Sequence, residues 1–494
     1  MKGFIQRHGL AAPDDAIRVS DIAHRLDAEG IRLVRMAWSD SHGHARAKMV
    51  TAAAFRSALE DGYGSNVATF TLDASGGRLF KSFTPGGGMG LTEMTGSPSL
   101  ILVPDLSTFC ALPWAEGVGW VLCDEYFTDG QPFFFSSRQI LRKQARRLAE
   151  RGQILNVGLE IEWHLSRLPE NRLDVLEESE IGEPGNRGRA VAVRPFEPGF
   201  SYHAEGVIDR VQPLLSRIEA TCRALGLPLR SIENEWGSGQ FECTFAPQEA
   251  LKAADACFLF RSAVRQVCCR EGFHASFMCW PKLPGAYPNG WHLHQSVVDA
   301  DDGRNLWTPQ DSTAALSPFG MAFLAGLMHH AAAATAFSTP TINGYRRFRP
   351  DSLAPDRPTW CHDHKGVMLR VLGGKDDPPA TRIENRAGEA AANPYLFVAS
   401  QIAAGLDGID RRLTPPPPEE DPYNADVPKL PNTLPNALET LEASELFADQ
   451  FGQRYLDYYL ILKRAEIARF EGSGGRHEGE AVSQWEQDEY FDAF

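Results

Sequence analysis

Hydrophobic residues along this chain fall into two rhythms. From Ile22 to Glu29 they recur at helical spacing, while IRLVRMAW (31–38) and SLILVPDL (99–106) are dense apolar stretches that predict strands. Residues 1–115 therefore read as a small α+β unit. Beyond it, FFFSSRQILRKQARRLAERG (133–152) opens an amphipathic helix behind a serine cap, and VIDRVQPLLSRIEATCRAL (207–225) predicts another. Strands alternate with such helices through residues 116–494, so the fold class is α+β with a larger second domain. Two segments depart from this rhythm. Residues 169–202, rich in Glu, Pro, Gly and Arg, predict a surface excursion, and TPPPPEEDP (414–422) predicts a polyproline II loop.

Within the strand-like runs, charge intrudes at a spacing of two. GLEIEW holds Glu160 and Glu162, and WHLHQS holds His292 and His294. On a strand both members of each pair project from one face. Acids and imidazoles in an apolar strand are costly to bury uncompensated, and a divalent cation is the usual compensation. Further acids are available in SIENEWGSGQFECTF, with Glu233, Glu235 and Glu242 around a GSG turn, and in RIENR, with Glu384 between Arg382 and Arg386. Glu160, Glu162, Glu235, Glu242 and Glu384 with His292, five carboxylates and one imidazole, suffice for two hard cations of the Mg or Mn type. Two such ions suit a nucleotide-dependent phosphoryl transfer, in which arginines such as Arg347, Arg370, Arg382 and Arg386 neutralise the moving charge and hold an acid substrate.

Composition narrows the partners. A formal charge of −15 over 494 residues argues against nucleic acid or an anionic membrane as a partner. Nine cysteines without a CxxC pair predict a reducing cytoplasm. The N-terminus lacks an apolar signal core, and the most apolar stretch, MAFLAGLMHHAAAATAF, is interrupted by His329 and His330, so no membrane span is expected.

Taken in order, seven marks resemble the glutamine synthetase family across nearly the whole chain. They are WSDSHGHARAK, LPW followed by GWVLCD, GLEIE, ENEWGSGQFE, NGWHLHQS, PTINGYRRF, and RIENR followed by AANPYL. The resemblance implies a β-grasp-like N-terminal domain over 1–115 and a catalytic domain over 116–494 with a large antiparallel sheet flanked by helices. It also implies a homo-oligomeric ring, a dodecamer, with each active site shared between neighbours. Carried over by residue, it puts Glu162, Glu235 and Glu242 on one Mg2+ or Mn2+ ion and Glu160, His292 and Glu384 on the other. ATP would meet His294, Ser296, Lys365, Arg370 and Arg382. Glutamate would meet Gly290, Arg347 and Arg386, with Arg347 and Arg370 also acting in the chemistry. ATP would phosphorylate the γ-carboxylate of glutamate, and an amine would then displace phosphate to give an amide.

Two departures shape the substrate expectation. Where family members read RLVPGYEAP, with a glutamate that closes over the ammonium site, this chain reads RFRPDSLAP and aligns Leu353. A leucine accepts no proton but lines a pocket for hydrocarbon. An arginine of the family is here Lys365, which keeps the charge and loses the bidentate fork. The expected substrate is therefore a larger or apolar amine, such as an alkylamine, aniline or polyamine, rather than ammonia. An ammonia-using glutamine synthetase and a catalytically idle structural oligomer are the alternatives. Asp40, in WSDSHG, matches the position that reaches a neighbour's amine site, although SDSHG also suits a turn cap. Tyr423, near a position adenylylated in some relatives, lacks that motif and is expected to be an ordinary loop residue.

Overall fold

Residues 2–169, 180–197, 199–349, 353–479 and 481–494 are described in the computed structural model. Part of the expected excursion at 169–202, and the segment just before Leu353, lie outside the described residues. The first sheet has the order Ala45–Thr51, Leu33–Ser39, Val118–Phe127, Ser99–Pro104, Tyr63–Asn66, with Cys110–Ala111 added to Val118–Phe127. Its central strand thus comes from beyond residue 115, the expected domain limit, and runs parallel to Leu33–Ser39. A parallel pair needs a long crossover, and the intervening residues 40–117 supply the rest of the sheet.

The second sheet has ten strands among the described residues. Its main path is Leu229–Asn234, Gln240–Phe245, Gln153–Arg167, Gly290–Asp299, Asp377–Glu389, Leu369–Gly374, Trp360–His362, antiparallel except for its last pair. The strand Gln153–Arg167 shows how it is seated. Leu155, Val157, Leu159, Ile161, Trp163 and Leu165 are all at most 3% exposed, so every second residue is core. Helices Ser137–Ala149 and Ala250–Arg270 pack against this strand. Its other face carries Gly158, Glu160 and Glu162, so apolar burial on one side presents the acids on the other.

The sequence-derived elements hold, with shifted ends. The helix expected over Ile22–Glu29 runs Asp15–Ala28, and the serine-capped one is Ser137–Ala149, where Ser136 Oγ accepts from Gln139 N. The apolar stretch at 321–337 becomes two helices, Pro318–His329 and Ala331–Ser338, bent by 76°. No single helix among the described residues is long and apolar enough to cross a membrane. The proline-rich stretch has neither helix nor strand, but it is docked: Trp360 Nε1 donates to Pro416 O at 2.7 Å and Glu419 N to Trp360 O at 2.9 Å. All nine cysteines are free, seven of them buried.

Candidate active site

Backbone register assembles the acids. Across adjacent strands Glu233 pairs with Glu242 and Glu242 with Glu162; Glu160 pairs with His292; His294 pairs with Glu384, and Glu384 with Arg370. Residues far apart in sequence are thereby brought onto one face of neighbouring strands. Glu160 is held from two sides, by His292 Nδ1 at 2.6 Å and His294 Nε2 at 2.9 Å. Arg382 Nε meets the other nitrogen of His294 at 3.0 Å. Glu384 lies 3.8 Å from His292 Nδ1, accepts from Arg370 at 3.1 Å and pairs closely with Arg386. Glu162 accepts from Gly290 N at 2.8 Å and from the Gln240 amide at 3.1 Å.

A local break in the ladder positions the basic side. Between Gly290–Asp299 and Asp377–Glu389 the register slips after Trp291, so Arg386 and Ala387 together face His292. Such a bulge leaves carbonyls unpaired. Arg347 collects them, donating to Ala387 O at 3.0 Å, Gly388 O at 2.7 Å and Arg386 O at 3.2 Å. Arg347 is thus anchored beside the acids by a single guanidinium bound to three carbonyls. Gly290 is required here for space: a Cβ would stand 3.0 Å from both Arg347 Nη2 and His292 Nε2.

Electrostatics follow from crowding. Burial, with Glu235 nearby, raises Glu162 to about 8, and burial with Glu160 and Glu162 raises Glu242 to about 11. Burial raises Glu235 to about 7. Burial also opposes ionisation of Glu160, but His292 and His294 prevail and hold it well below the usual carboxylate range. Burial and Arg386 lower the imidazole of His292. Carboxylates that repel one another in this way form a donor set suited to divalent cations. Two groups bring their ligand atoms within 4.8 Å of one another, Glu160 with His294 and Glu384, and Glu160 with Glu242 and His292. The groups differ from the expected halves because Glu160 belongs to both and Glu162 is turned toward Gly290 and Gln240.

The cavity beside these acids holds about 300 Å³ and is lined by Glu160, Glu162, Glu235, Glu242, Gly290, His292, Arg347, Leu353, Lys365, Arg370 and Arg386. Ser296 lies two residues beyond His294 on the same strand. Asp40 is elsewhere. Fully buried, it accepts from His42 N at 3.0 Å, His44 N at 2.9 Å and Arg46 Nε at 2.8 Å, the bonding of a hairpin cap. Sequence reasoning missed the aromatic part of the wall. Tyr202 and Trp236 stack with centroids 4.6 Å apart and planes at 11°, both substantially exposed, and Tyr287 joins them. Trp236 stands inside a motif dominated by its acids; Tyr202 follows no pattern. Tyr423 is a turn residue whose hydroxyl donates to Ala354 O at 3.3 Å.

The profile of the glutamine synthetase catalytic domain matches residues 135–490. A gamma-glutamylanilide synthase from Acinetobacter sp. is 41% identical over 496 residues, covering 99% of this chain and 98% of that protein. A gamma-glutamylethanolamide synthetase, GlnA4, from Streptomyces coelicolor is 34% identical, covering 77% of each. A solved structure described as apo GmaS without ligand superposes with a TM-score of 0.75 at 27% identity, covering 95% of this chain and 98% of that one.

Proposed function

This chain belongs to the glutamine synthetase family, and from that premise we propose that it is an ATP-dependent ligase joining the γ-carboxylate of glutamate to an apolar amine of the aniline or alkylamine class. The observation that carries the amine class is the cavity wall, where Leu353, Tyr202, Trp236 and Tyr287 share one opening with the acids. The identity with a protein named for an anilide product supports the same choice. A flat, uncharged aryl amine gains from aromatic faces and apolar contact, whereas ammonium has no apolar surface to bury there.

Glu160, Glu162, Glu235, Glu242, His292 and Glu384 would hold two divalent ions, Mg2+ or Mn2+. When bound, the ions offset the charge of the nucleotide phosphates and the acid substrate. His294, Ser296, Lys365 and Arg382 would meet ATP. Arg347 and Arg386, beside Gly290, orient glutamate so that a γ-carboxylate oxygen attacks the terminal phosphorus and ADP leaves. Arg370 is placed between Asp363 and Glu384, where its guanidinium offsets the charge of the transferred phosphoryl group. In the second step the amine nitrogen attacks the γ-carbonyl carbon, inorganic phosphate leaves, and the nitrogen gives up one proton. The acyl phosphate has a leaving group that the free carboxylate lacks.

A homo-oligomeric ring of the dodecameric kind, in a reducing cytoplasm, fits the family and the free cysteines. The hairpin bonding of Asp40 favours a structural role for it, and its contribution to a neighbour's site is part of the ring proposal. The test is ADP release by purified protein with glutamate, ATP and Mg2+, given ammonium, aniline, methylamine or a polyamine. Preference for aniline or an alkylamine is expected; a kcat/KM highest for ammonium would overturn the amine assignment.

A further inference from the structure

A second, larger cavity lies away from these acids. It holds about 610 Å³ between the hairpin Gly43–Arg46, the helix Ala250–Arg270, the strand end at His274 and the segment 492–494. Five arginines line it: Arg46, Arg187, Arg261, Arg265 and Arg270. Their bonding is unusual for so many cations. Arg261 donates to the carbonyls of Ala390 and Ala392 at 2.9 Å each, Arg265 to those of Ala493 and Asp492, Arg270 to Gln266 O at 2.9 Å, and Arg187 to Ala74 O. Carbonyls satisfy hydrogen bonds and leave the charge uncompensated.

Among the described residues, no carboxylate forms an ion pair with Arg187, Arg261, Arg265 or Arg270. Arg46 has Asp40 at 2.8 Å, and the acid on the wall itself is Asp492. Among the described residues three buried nitrogens of this wall, Arg187 Nε, Arg261 Nη2 and His44 Nε2, have no hydrogen-bond partner, nor does one buried acceptor, Asp492 Oδ1. Burial first, and the like charges of Arg187 and Arg261 against Asp492, bring Arg265 down to about 10, which leaves it charged at neutral pH. In a chain with a formal charge of −15, a part-enclosed surplus of several positive charges is the exception. Arg261 is buried and Arg187 and Arg265 are partly so, while Arg270 is exposed at the rim; positive charge held this close without a paired carboxylate is destabilising, and an oxyanion offsets it.

We propose that this cavity is a binding site for a small oxyanion bearing two or more negative charges, of the phosphate or polycarboxylate class. Within one chain it is distinct from the acidic cavity, since none of its lining residues lines that cavity, while the hairpin that walls it carries Asp40, which in the proposed ring would stand towards a neighbour. Its reporter is built in: Cys269 lines it and is exposed, while Cys268 beside it is buried.

The experiment uses full-length, metal-free protein with inorganic phosphate and citrate as separate probes, followed by calorimetry and by the rate at which iodoacetamide alkylates Cys269. Wild type is expected to bind at least one probe and to show Cys269 alkylation slowed about fivefold at saturation, with the stronger probe telling phosphate from carboxylate. The double variant R187Q/R270Q, which leaves the carbonyl clamps of Arg261 and Arg265 in place, should weaken binding at least tenfold, and R370Q should leave it unchanged. Binding lost in R370Q but kept in R187Q/R270Q would assign the anion to the acidic cavity and overturn the proposal. So would the absence of both binding and protection, or protection of Cys269 that depends on protein concentration and not on anion, which would mark a face covered by a second copy. The alkylation readout on wild type decides the matter even if the double variant fails to fold.

Discussion

Leu353 adopts a left-handed backbone conformation, φ 60°, that leucine rarely takes. Its side chain is 45% exposed at the mouth of the acidic cavity. Replacing it by glutamate puts a carboxylate where a cation would be stabilised. L353E is expected to shift the ratio of kcat/KM for ammonium over aniline upward by roughly tenfold, equivalent to about 1.4 kcal/mol; steady-state ADP release with both amines measures it, and an unchanged ratio would remove Leu353 from selectivity. Trp236 belongs to the same argument. An aromatic contact is worth about 0.5–1.5 kcal/mol, so W236A should raise KM for aniline several-fold while KM for glutamate stays within about twofold. On the acid side, E160Q removes the carboxylate shared by both ligand groups. A loss of Mn2+ affinity of roughly 100-fold is expected in a spectroscopic titration.

Legible in the sequence at this scale are the acids at spacing two, because strand geometry turns that spacing into one face. Tyr202 is not, because it is brought to Trp236 by the return of the chain into the helix Glu205–Ala224, which no local rhythm announces. Asp40 is a related case. SDSHG is good turn chemistry, and in the structure both oxygens of Asp40 are engaged by the turn and by Arg46.

Among elements, the bent pair Pro318–His329 and Ala331–Ser338 illustrates how an apolar stretch becomes core rather than a membrane segment. Its first helix lies against Pro394–Asp410, and the two backbones touch at glycines. A Cβ on Gly326 would stand 2.1 Å from Ala404 O and 2.8 Å from Gly408 N. G326A must therefore push two buried helices apart, and overpacking of this kind costs about 1–3 kcal/mol; chemical denaturation should report it with little change in KM for either substrate. Helix ends are less legible than helix existence. The serine cap at Ser136 marks one start correctly, whereas the helix read from the rhythm at Ile22 begins well before it, at Asp15.

For the whole molecule, stability carries a pH signature distant from the active site. Glu125 is buried in the first sheet, where burial raises it to about 8 despite the hydroxyl donated by Ser136 at 2.5 Å. A carboxyl raised above its ordinary 4.5 is stabilised as the neutral acid in the folded state. Its contribution is therefore full below about 4.5 and is lost as pH rises towards 8, at a slope of about 1.4 kcal/mol per pH unit within that window. E125Q should flatten that part of the stability profile, measured by denaturation at pH 5 and pH 8.5; an unchanged difference would place the ionisation elsewhere. The domain plan is legible only in outline, since Val118–Phe127 enters the first sheet by pairing with Leu33–Ser39, a contact across some eighty residues.

The slipped register opposite His292 has a consequence for how this protein can change. Because Arg386 and Ala387 share one partner, Glu384 and Glu389 both fall on the side that faces Gly290 and His294, although they stand an odd number of positions apart. Counting, rather than side-chain identity, fixes that phase. Removing any one residue from 385–388 would straighten the ladder and leave Glu384 and Glu389 an even number of positions apart on the same side, but it would take away the carbonyls to which Arg347 clings. A single-codon deletion here would therefore spare the acids and unseat the arginine, and substitution is closed at Gly388, where a Cβ would stand 2.7 Å from Trp291 O.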